Sequence, residues 1–470
     1  MAFRSAVVGL MCIGAIGCGE MPVTDAGSTD AGGTDAGGTD AGVTDAGMDA
    51  GSRLDPVLTD PEMMRARDFT PLPAVPADPT NAFADDARAA TLGQRLYFDK
   101  SYSGALAVGT DGGNGGLGAP GERGKVACVS CHESLSGADV RTLPNHVSLG
   151  TDYGTRNALT VVNSSFNAWT NWGGRFDSQW SLPLAVAENA RIMGSTRLEV
   201  AHLLWNKYRA DYDAIFPVPL DAALDPNAAD AARFPAAGKP KAAMPDPDGP
   251  WEMMTATDRA TVNRIFANYG KAIAAYMRKL VSRGAPFDRF VAGDPNAISE
   301  SAKRGFRVFT TRGKCATCHS GPTFSDDKFH ALGVPQRGDR VPANDLGRFQ
   351  DIPALMGSAF NTSGGYSDAP DAGKLVGVAQ SDALRGAFRT PQLRGLGASA
   401  PYMHSGQFAT LAEVVTFYDQ GGGVVPDGGT LDALVTPLTL TTEEKADLVA
   451  FLATLDGVAV EAALNVDTSR

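Results

Sequence analysis

Two copies of the pattern C-x-x-C-H constrain more than any other feature what this 470-residue chain can fold into. In each copy, one short helical turn can present two sulfurs to the edge of a porphyrin while the histidine that follows reaches the iron. The pattern therefore predicts two covalently attached c-type haems. The predicted attachment and iron-binding residues are Cys128, Cys131 and His132 in the first copy, and Cys315, Cys318 and His319 in the second.

Two other uses of these cysteines stay open from the pattern alone. A zinc site could take all four thiolates, but it would leave the two adjacent histidines unexplained. A thioredoxin-like redox pair would not need a histidine after each motif. The two other cysteines, Cys12 and Cys18, lie near the N-terminus, so no pair is left over for a structural disulfide.

The first twenty residues, MAFRSAVVGLMCIGAIGCGE, have the composition of an export signal. One arginine precedes an apolar run that is too short to form a stop-transfer membrane helix. The end of the run, AIGC, is similar to a bacterial lipobox, although Ala15 stands where leucine is usual. We predict a lipoprotein signal peptide over residues 1–18, with a lipid on Cys18 as the only membrane contact. Ordinary cleavage without a lipid is the alternative; the expected location is the periplasm or cell envelope, as an outer-membrane lipoprotein.

Asp-Ala-Gly recurs six times between Asp25 and Gly51. Such a segment has almost no large apolar side chain to bury, so we predict a disordered tether over residues 19–78. The formal net charge of the chain is −12, and the sequence contains no run of lysine and arginine residues. Because phosphate binding needs a clustered cationic face, this charge pattern argues against a nucleic-acid partner.

Apolar residues at helical spacing predict helices over 82–99, 198–215, 258–281, 299–310, 410–418 and 441–455. Strand-like alternation is scarce, so the predicted fold class is mostly α. The segment 217–250 is rich in Ala, Pro and Asp, and we interpret it as an inter-domain connection. It would separate an N-terminal c-type haem domain, residues 79–250, from a C-terminal one, residues 251–470.

Several segments resemble the bacterial di-haem cytochrome c peroxidase family, including its MauG-type branch. In family order they are LGQRLYFD, GTRNALTVVN, WGGR, GKCATCHSGPTFSD, FRTPQLRG, APYMHSGQFATLAEVVTFYDQGG and LTTEEKADLVAFLATLDG. They span most of the chain from about Thr91 to Gly457. The resemblance implies a mostly α fold of two cytochrome c-like haem domains with long loops, two covalently bound haem c groups, and a calcium ion at the domain interface.

The resemblance also implies a sixth ligand for the C-terminal haem. This ligand is methionine in the peroxidases and tyrosine in the MauG-type branch, and Tyr418, fourteen residues after His404, matches its position. A phenolate is a hard anionic donor that favours ferric and higher oxidation states of iron. The alternative is a tyrosine packed on the inner face of its helix.

The N-terminal haem lacks the histidine that ligates it in oxidised peroxidases, because residues 148–151 of this chain read Ser-Leu-Gly-Thr at the matching place. His146 lies just upstream in a Pro-Asn-His turn. It would either reach the iron and give a bis-histidine haem, or remain an exposed loop residue.

For calcium, the resemblance implies one asparagine side chain and two backbone carbonyls, with water at the remaining positions. Asn157 matches the asparagine, and Ser399 and Pro401 match the carbonyl donors. Such hard oxygen ligands suit calcium. His404 is expected beside the haem edge rather than as a ligand.

The family places a glutamate over the N-terminal haem, where it moves a proton between the two oxygens of a bound peroxide. Arg175 and Met193 match the family pattern without a gap, which puts Ile192 at the glutamate position. Leu182 stands at a glutamine position, and Gly173 replaces the aspartate of W-D-G-R. The matching positions therefore lack three polar groups.

Two residues of this stretch are candidates for chemistry. Glu188 lies one helical turn before Ile192 and would share its face if the segment is helical. A solvated surface role is the alternative for Glu188. Trp172 matches the tryptophan that lies between the two haems in the family, and we predict that it relays electrons.

Two functions remain in competition. The first is an oxidoreductase of the cytochrome c peroxidase/MauG type, with hydrogen peroxide as oxidant and electrons from a small donor protein or a protein substrate. Tyr418 favours oxidation of a protein partner. The second is a non-catalytic, tethered electron-transfer or redox-sensing cytochrome, which Ile192, Leu182 and His146 favour. A homodimer is a possible assembly for either.

Overall fold

The computed structural model of the protein describes residues 57–109, 116–132, 139, 141–241, 249–371 and 373–469. The predicted signal peptide, Cys18 and the Asp-Ala-Gly repeat lie outside these ranges. The described helices are α1 (Asp60–Ala66), α2 (Ala87–Phe98), α3 (Cys128–Cys131), α4 (Ser181–Glu188), α5 (Arg197–Ile215), α6 (Ala256–Met277), α7 (Pro286–Val291), α8 (Glu300–Thr310), α9 (Arg348–Met356), α10 (Leu411–Asp419) and α11 (Thr442–Leu452). Strands β1 (Phe329–Ala331) and β2 (Ala387–Arg389) pair antiparallel. The predicted mostly α fold class is confirmed.

The six helices predicted from apolar spacing are present as α2, α5, α6, α8, α10 and α11. Their ends follow local capping chemistry, in which a side chain satisfies backbone N–H groups that have no partner within the helix. A capping box of Thr410 and Glu413 starts α10, and one of Thr441 and Glu444 starts α11. Periodicity and capping therefore agree at these sites.

Order begins earlier in the chain than predicted. The tether was expected to reach residue 78, but α1 begins at Asp60 and Phe69 is fully buried. The Phe69 ring stacks on Phe324 with 5.0 Å between the centroids, so apolar burial holds this segment in place. No helix in the described part of the chain is both long and apolar enough to cross a membrane.

A first hydrophobic core contains α2, α4, α5 and α6. Its largest fully buried side chains include Trp180, Tyr212 and Tyr269. Helices α2 and α6 cross so closely at Gly93 that a Cβ there would collide with the carbonyl oxygen of Ala272. Glycine is needed at this crossing because any side chain would force the two backbones apart.

A second core contains α1, α7, α8 and α11, with part of α10. Helices α8 and α11 cross at Gly305, where a Cβ would collide with the carbonyl oxygen of Asp447 and lie 2.7 Å from the Cβ of Phe451. The first core has the same pattern, since a Cβ at Gly93 would lie 3.0 Å from the Cβ of Tyr276, four residues after Ala272. In the sequence, each C-x-x-C-H motif thus follows the first helix and precedes the second helix of one glycine-mediated crossing.

The segment 217–250 packs on the first core rather than spanning free space. Its described residues Leu220, Leu224 and Phe234 are buried in that core, and α6, which follows the segment, belongs to the same core. The chain passes to the second core between Leu280 and Phe287. We therefore propose a domain boundary there in place of the one predicted at Pro250.

The two ends of the described chain cross over. The N-terminal α1 packs on the second core, whereas the C-terminal Val460 packs in the first. The Tyr276 hydroxyl donates to the carbonyl of Leu464 at 2.6 Å, and Gln94 donates to the carbonyl of Val466 at 3.0 Å. Each core is consequently completed by the end of the chain that is remote from it in sequence.

The glycine crossings predict a specific destabilisation. Gly93→Ala should lower the free energy of unfolding by about 1–3 kcal/mol, because the added methyl group meets backbone rather than a movable side chain. Denaturant unfolding of the haem-loaded protein measures this change. Gly365→Ala is the matched control, since a Cβ there meets nothing within 4 Å. Equal stability of the two variants would contradict the close crossing.

Candidate functional site

The first C-x-x-C-H motif forms the one-turn helix α3. Its His132 N–H donates to the carbonyl of Cys128 at 3.0 Å, and the hydroxyl of Tyr97 donates to the His132 carbonyl at 3.0 Å. Cys131 is buried, and Cys128 packs against the first core. Helix α2 therefore holds the motif through Tyr97, with both sulfurs on one helical turn, as covalent haem attachment requires.

The second motif has an imidazole already oriented for a metal. The Nδ1 of His319 is hydrogen-bonded to the carbonyl oxygen of Phe324 at 2.9 Å, which assigns the proton to Nδ1 and leaves Nε2 as the available ligand. Burial lowers the pKa of His319 and so favours the neutral ring that binds iron. The neutral His319 ring, with its Nε2 free, is the donor that a haem iron at the second motif would need.

Two adjoining cavities of about 150 and 130 Å³ flank His319. Both are bordered by Cys315, His319 and Tyr418, so the predicted tyrosine ligand faces the same space as the predicted histidine ligand. Burial raises the pKa of Tyr418 far above its usual range. No other described residue forms a hydrogen bond with its hydroxyl, which leaves the phenol available to a metal.

Trp172 borders both cavities and is held at three points. Its indole N–H donates to the backbone carbonyl of Asn157 at 2.8 Å, and its own carbonyl accepts from the N–H of Arg389 at 2.8 Å. Its ring meets His404 edge-on at 6.3 Å. His404 stacks on Phe388 at 3.8 Å, and burial lowers its pKa to about 4, so the imidazole beside the tryptophan is neutral.

The residues predicted to bind calcium lie together. Asn157, Ser399 and Pro401 border the larger-volume cavity of the pair. The side-chain oxygen of Asn157 is buried without a hydrogen-bond partner, which is costly unless a cation or water occupies the site. A Cβ at Gly406 would lie 2.6 Å from the Asn157 amide nitrogen, so glycine is needed where this loop approaches. This donor set fits an oxygen-liganded cation.

His146 lies in a loop that is fixed to the segment following His404. The N–H of Asn145 donates to the carbonyl of Gly406 at 2.8 Å, and the His146 Nδ1 is buried without a partner. At the position where peroxidases have histidine, the Ser148 hydroxyl accepts from the N–H of Ala158 at 2.9 Å. Ligation of iron by His146 stays a prediction.

Glu188 has a structural partner. Its two carboxylate oxygens each accept from Arg197, at 2.8 and 2.8 Å, and the backbone carbonyl of Glu188 accepts from Lys239. Ile192 instead packs on the loop after the first motif, where its carbonyl accepts from Thr151 N–H at 2.9 Å. The carboxylate that was a candidate proton carrier is thus committed to an ion pair.

The structure explains why residue 173 is glycine, which the sequence alone did not. A Cβ at this position would collide with the carboxylate of Asp351, which α9 brings to the space that a side chain at 173 would occupy. Asp351 accepts from Arg156 at 2.7 Å, and Asp345 accepts from the same guanidinium at 2.6 Å. A carboxylate is therefore present beside the tryptophan segment, although it comes from a remote part of the chain.

Sequence reasoning missed a second histidine near the C-terminal motif. His330 lies between Asp432, at 2.6 Å, and Asp326, at 3.3 Å. Hydrogen bonding to the Cys318 sulfur and to Asp432 raises the pKa of His330 to about 10. The spacing of Asp326 and His330 by four residues was visible in the sequence, but Asp432 is remote in sequence.

The profile of the di-haem cytochrome c peroxidase family matches residues 87–296. Cytochrome-c peroxidase IdrP2 of Pseudomonas sp. (strain SCT) is 31% identical over 370 residues, which cover 78% of this chain and 80% of that protein. Methylamine utilization protein MauG of Methylophilus methylotrophus is 29% identical over 379 residues, which cover 79% of this chain and 83% of that protein.

Solved structures show the same fold. A MauG-like protein associated with microbial copper homeostasis aligns with a TM-score of 0.54 at 23% identity, covering 86% of this chain and 98% of that one. The di-haem peroxidase BthA from Burkholderia thailandensis E264 aligns with a TM-score of 0.57 at 19% identity, covering 83% and 91%. The chain belongs to the di-haem cytochrome c peroxidase family and is a peroxidase-like oxidoreductase.

The Glu188–Arg197 pair generates a test of the catalytic candidate. Glu188→Gln should lower the free energy of unfolding by about 3 kcal/mol, because Arg197 would lose its charge partner in a mostly buried site. Asp382→Asn breaks an exposed pair and is the control, with an expected loss below about 1 kcal/mol. Normal stability together with a ~10²-fold slower reaction with peroxide would instead restore a catalytic role to Glu188.

Proposed function

We propose that the chain is an exported di-haem c-type oxidoreductase that uses hydrogen peroxide as oxidant and takes electrons from a small donor protein or a protein substrate. One observation carries the proposal: Tyr418, with no hydrogen bond to its hydroxyl from any described residue, faces the cavity that His319 and Trp172 also border. Bound iron porphyrin would supply the one-electron chemistry and the activation of peroxide.

In this proposal each core holds one haem as a cytochrome c-like domain. Cys128, Cys131 and His132 would hold the first haem, and Cys315, Cys318, His319 and Tyr418 the second. The matching helix crossings at Gly93 and Gly305 support two related units, because in both the first crossing helix is followed in the sequence by a C-x-x-C-H motif. The zinc and dithiol alternatives would give no reason for this repetition.

Trp172 would carry electrons between the two haems. Its indole N–H is donated to a backbone carbonyl, a weak base, and the neighbouring His404 is hydrogen-bonded through Nε2 to Gln336 at 3.0 Å. The ring is therefore fixed in orientation without a strong proton acceptor on its nitrogen. A fixed aromatic ring that borders the haem cavity suits repeated electron transfer.

Calcium would bind at Asn157, Ser399 and Pro401. The same Asn157 also accepts the Trp172 indole N–H through its backbone carbonyl. A cation on the side chain would thus steady the residue that orients the tryptophan. Calcium would then act on electron relay through position rather than through chemistry.

Export and partners are further parts of the proposal. A signal peptide over residues 1–18 and a lipid on Cys18 would place the protein in the periplasm or cell envelope, held by the tether. The net charge of −12 favours a neutral or basic protein partner. A homodimer stays a possible assembly.

A non-catalytic electron-transfer or redox-sensing cytochrome is the second candidate. It is favoured by the ion pair that occupies Glu188 and by the apolar residues Ile192 and Leu182 at the family's polar positions. Loss of a general acid/base costs a factor of ~10² to 10⁴ in rate. In this case the relay and haem sites would remain while peroxide turnover would be absent.

Electron paramagnetic resonance distinguishes the two candidates. The ferric protein should show one haem that changes its signal on addition of peroxide, and one low-spin haem with His319 and Tyr418 as ligands. Tyr418→Phe should replace the low-spin signal of the second haem by a high-spin signal, because that haem loses one iron ligand. The signal of the first haem should stay unchanged. Two low-spin haems that do not respond to peroxide would leave only the electron-transfer candidate.

The calcium site has its own test. Asn157→Ala should weaken calcium binding at least tenfold by isothermal titration, because it removes a side-chain oxygen donor and keeps the backbone carbonyl. Asn167→Ala is the control, since Asn167 borders the same cavity but is not a proposed donor. Identical calcium affinity in wild type and Asn157→Ala would reject the site.

A further inference from the structure

Arg389, at the end of β2, is a buried cation with few partners. Its side chain is only 2% exposed. Within the described residues, all hydrogen bonds of the guanidinium come from one nitrogen, Nη1, which donates to Asp327 at 3.1 Å, the Thr390 carbonyl at 3.2 Å and Asn167 at 3.4 Å. The Nε is buried without a partner. Three of five N–H donors are therefore left for another acceptor.

Arg394, an equally buried arginine of the same chain, is better satisfied. Arg394 is also 2% exposed, but its two terminal nitrogens both donate to Asp288 at 2.9 Å and its Nε donates to the carbonyl of Pro322. Burial lowers the pKa of Arg389 despite the nearby Asp327 carboxylate, whose side chain is 24% exposed. The Arg389 guanidinium meets only one oxygen of the Asp327 carboxylate, so its charge is less well compensated than that of Arg394.

The location of Arg389 indicates which acceptor could use these free N–H donors. Arg389 borders both cavities, as do Cys315, Tyr418 and Trp172. Lys314 is the other Lys or Arg among the described cavity-lining residues, and it is exposed and hydrogen-bonded to Thr436. A haem carries two carboxylates on the edge opposite the groups that form the thioethers. Carboxylates pair well with the fork of N–H donors on arginine.

We propose that Arg389 binds a propionate carboxylate of the haem attached at Cys315 and Cys318. The inference rests on the proposed attachment of that haem, but it does not depend on peroxide turnover. It adds a positioning role, because the backbone N–H of Arg389 donates to the carbonyl of Trp172 at 2.8 Å. One residue would thereby fix the distance between the haem edge and the electron relay.

Two variants with opposite charge effects test the proposal. Arg389→Gln should lower the midpoint potential of the tyrosine-ligated haem, because it removes a buried positive charge that disfavours the ferric state. Asp327→Asn should raise that potential, because Arg389 then keeps its charge without the competing carboxylate. Spectroelectrochemical titration of the full haem-loaded chain measures both. Resonance Raman spectra should show a shifted propionate bending band in Arg389→Gln.

Arg394→Gln is the matched control, since it removes an equally buried arginine that does not border the cavities. It should leave the potential and the Raman band at wild-type values. Unchanged potential and Raman band in Arg389→Gln would overturn the proposal, and so would shifts of the same sign in Arg389→Gln and Asp327→Asn.

If Arg389→Gln does not retain haem, Arg389→Lys decides. Lysine keeps the positive charge but lacks the planar fork of N–H donors. The propionate Raman band should therefore shift, while the midpoint potential should fall by less than it would with a neutral side chain at this position. An unaltered band in Arg389→Lys would overturn the proposal. If the wild-type chain carries haem only at the first motif, both this inference and the proposed function are overturned. If the wild type carries both haems and the spectra of the Arg389 variants equal those of the wild type, this inference alone is overturned.

Discussion

The structure depends on the way in which Trp172 is held between elements that are remote from one another in the chain. Its indole nitrogen, carbonyl oxygen and ring contact Asn157, Arg389 and His404 respectively. Because these partners come from the loop after the first motif, from β2 and from the segment before α10, one side chain ties both halves together. Displacement of any partner would be transmitted to the ring and to the cavity beside it.

The two cores use the same solution to a packing problem. In each core, two helices cross at a glycine. The glycine faces one residue of the partner helix and an aromatic residue four positions later. These two residues are Ala272 and Tyr276 in the first core, and Asp447 and Phe451 in the second. The residue types differ, so the repeat is hidden in the sequence. What the cores share is backbone proximity, which only the absence of a side chain permits.

Local signals in the sequence predicted much of the fold. Helices such as α10 and α11 combine apolar spacing with a capping box, and both signals lie within a dozen residues. The C-x-x-C-H motifs are equally local. By contrast, α1 was missed because Ala66 and the following Phe69 are buried in the remote second core, whereas the local composition resembled the tether.

The site was predictable to the extent that it is carried by motifs. The structure brings His319, Tyr418 and Trp172 to shared cavities, as the family pattern suggested. Asp351 beside Gly173 could not be foreseen, because the two are separated by 178 positions in the sequence. The ion pair of Glu188 with Arg197 could not be foreseen either, because it depends on the way α4 and α5 meet.

The crossed ends of the chain have a consequence for biogenesis. Glu62 pairs with Arg307, 245 positions away, and Gln94 bonds the carbonyl of Val466, 372 positions away. The first core can therefore be completed only after Val466 has been synthesised. Because long-range closure of this kind is slow, the last packing step of this core would follow the synthesis of nearly the whole chain. With haem attached as proposed, the topology would leave time for attachment at Cys128 and Cys131 before this core closes.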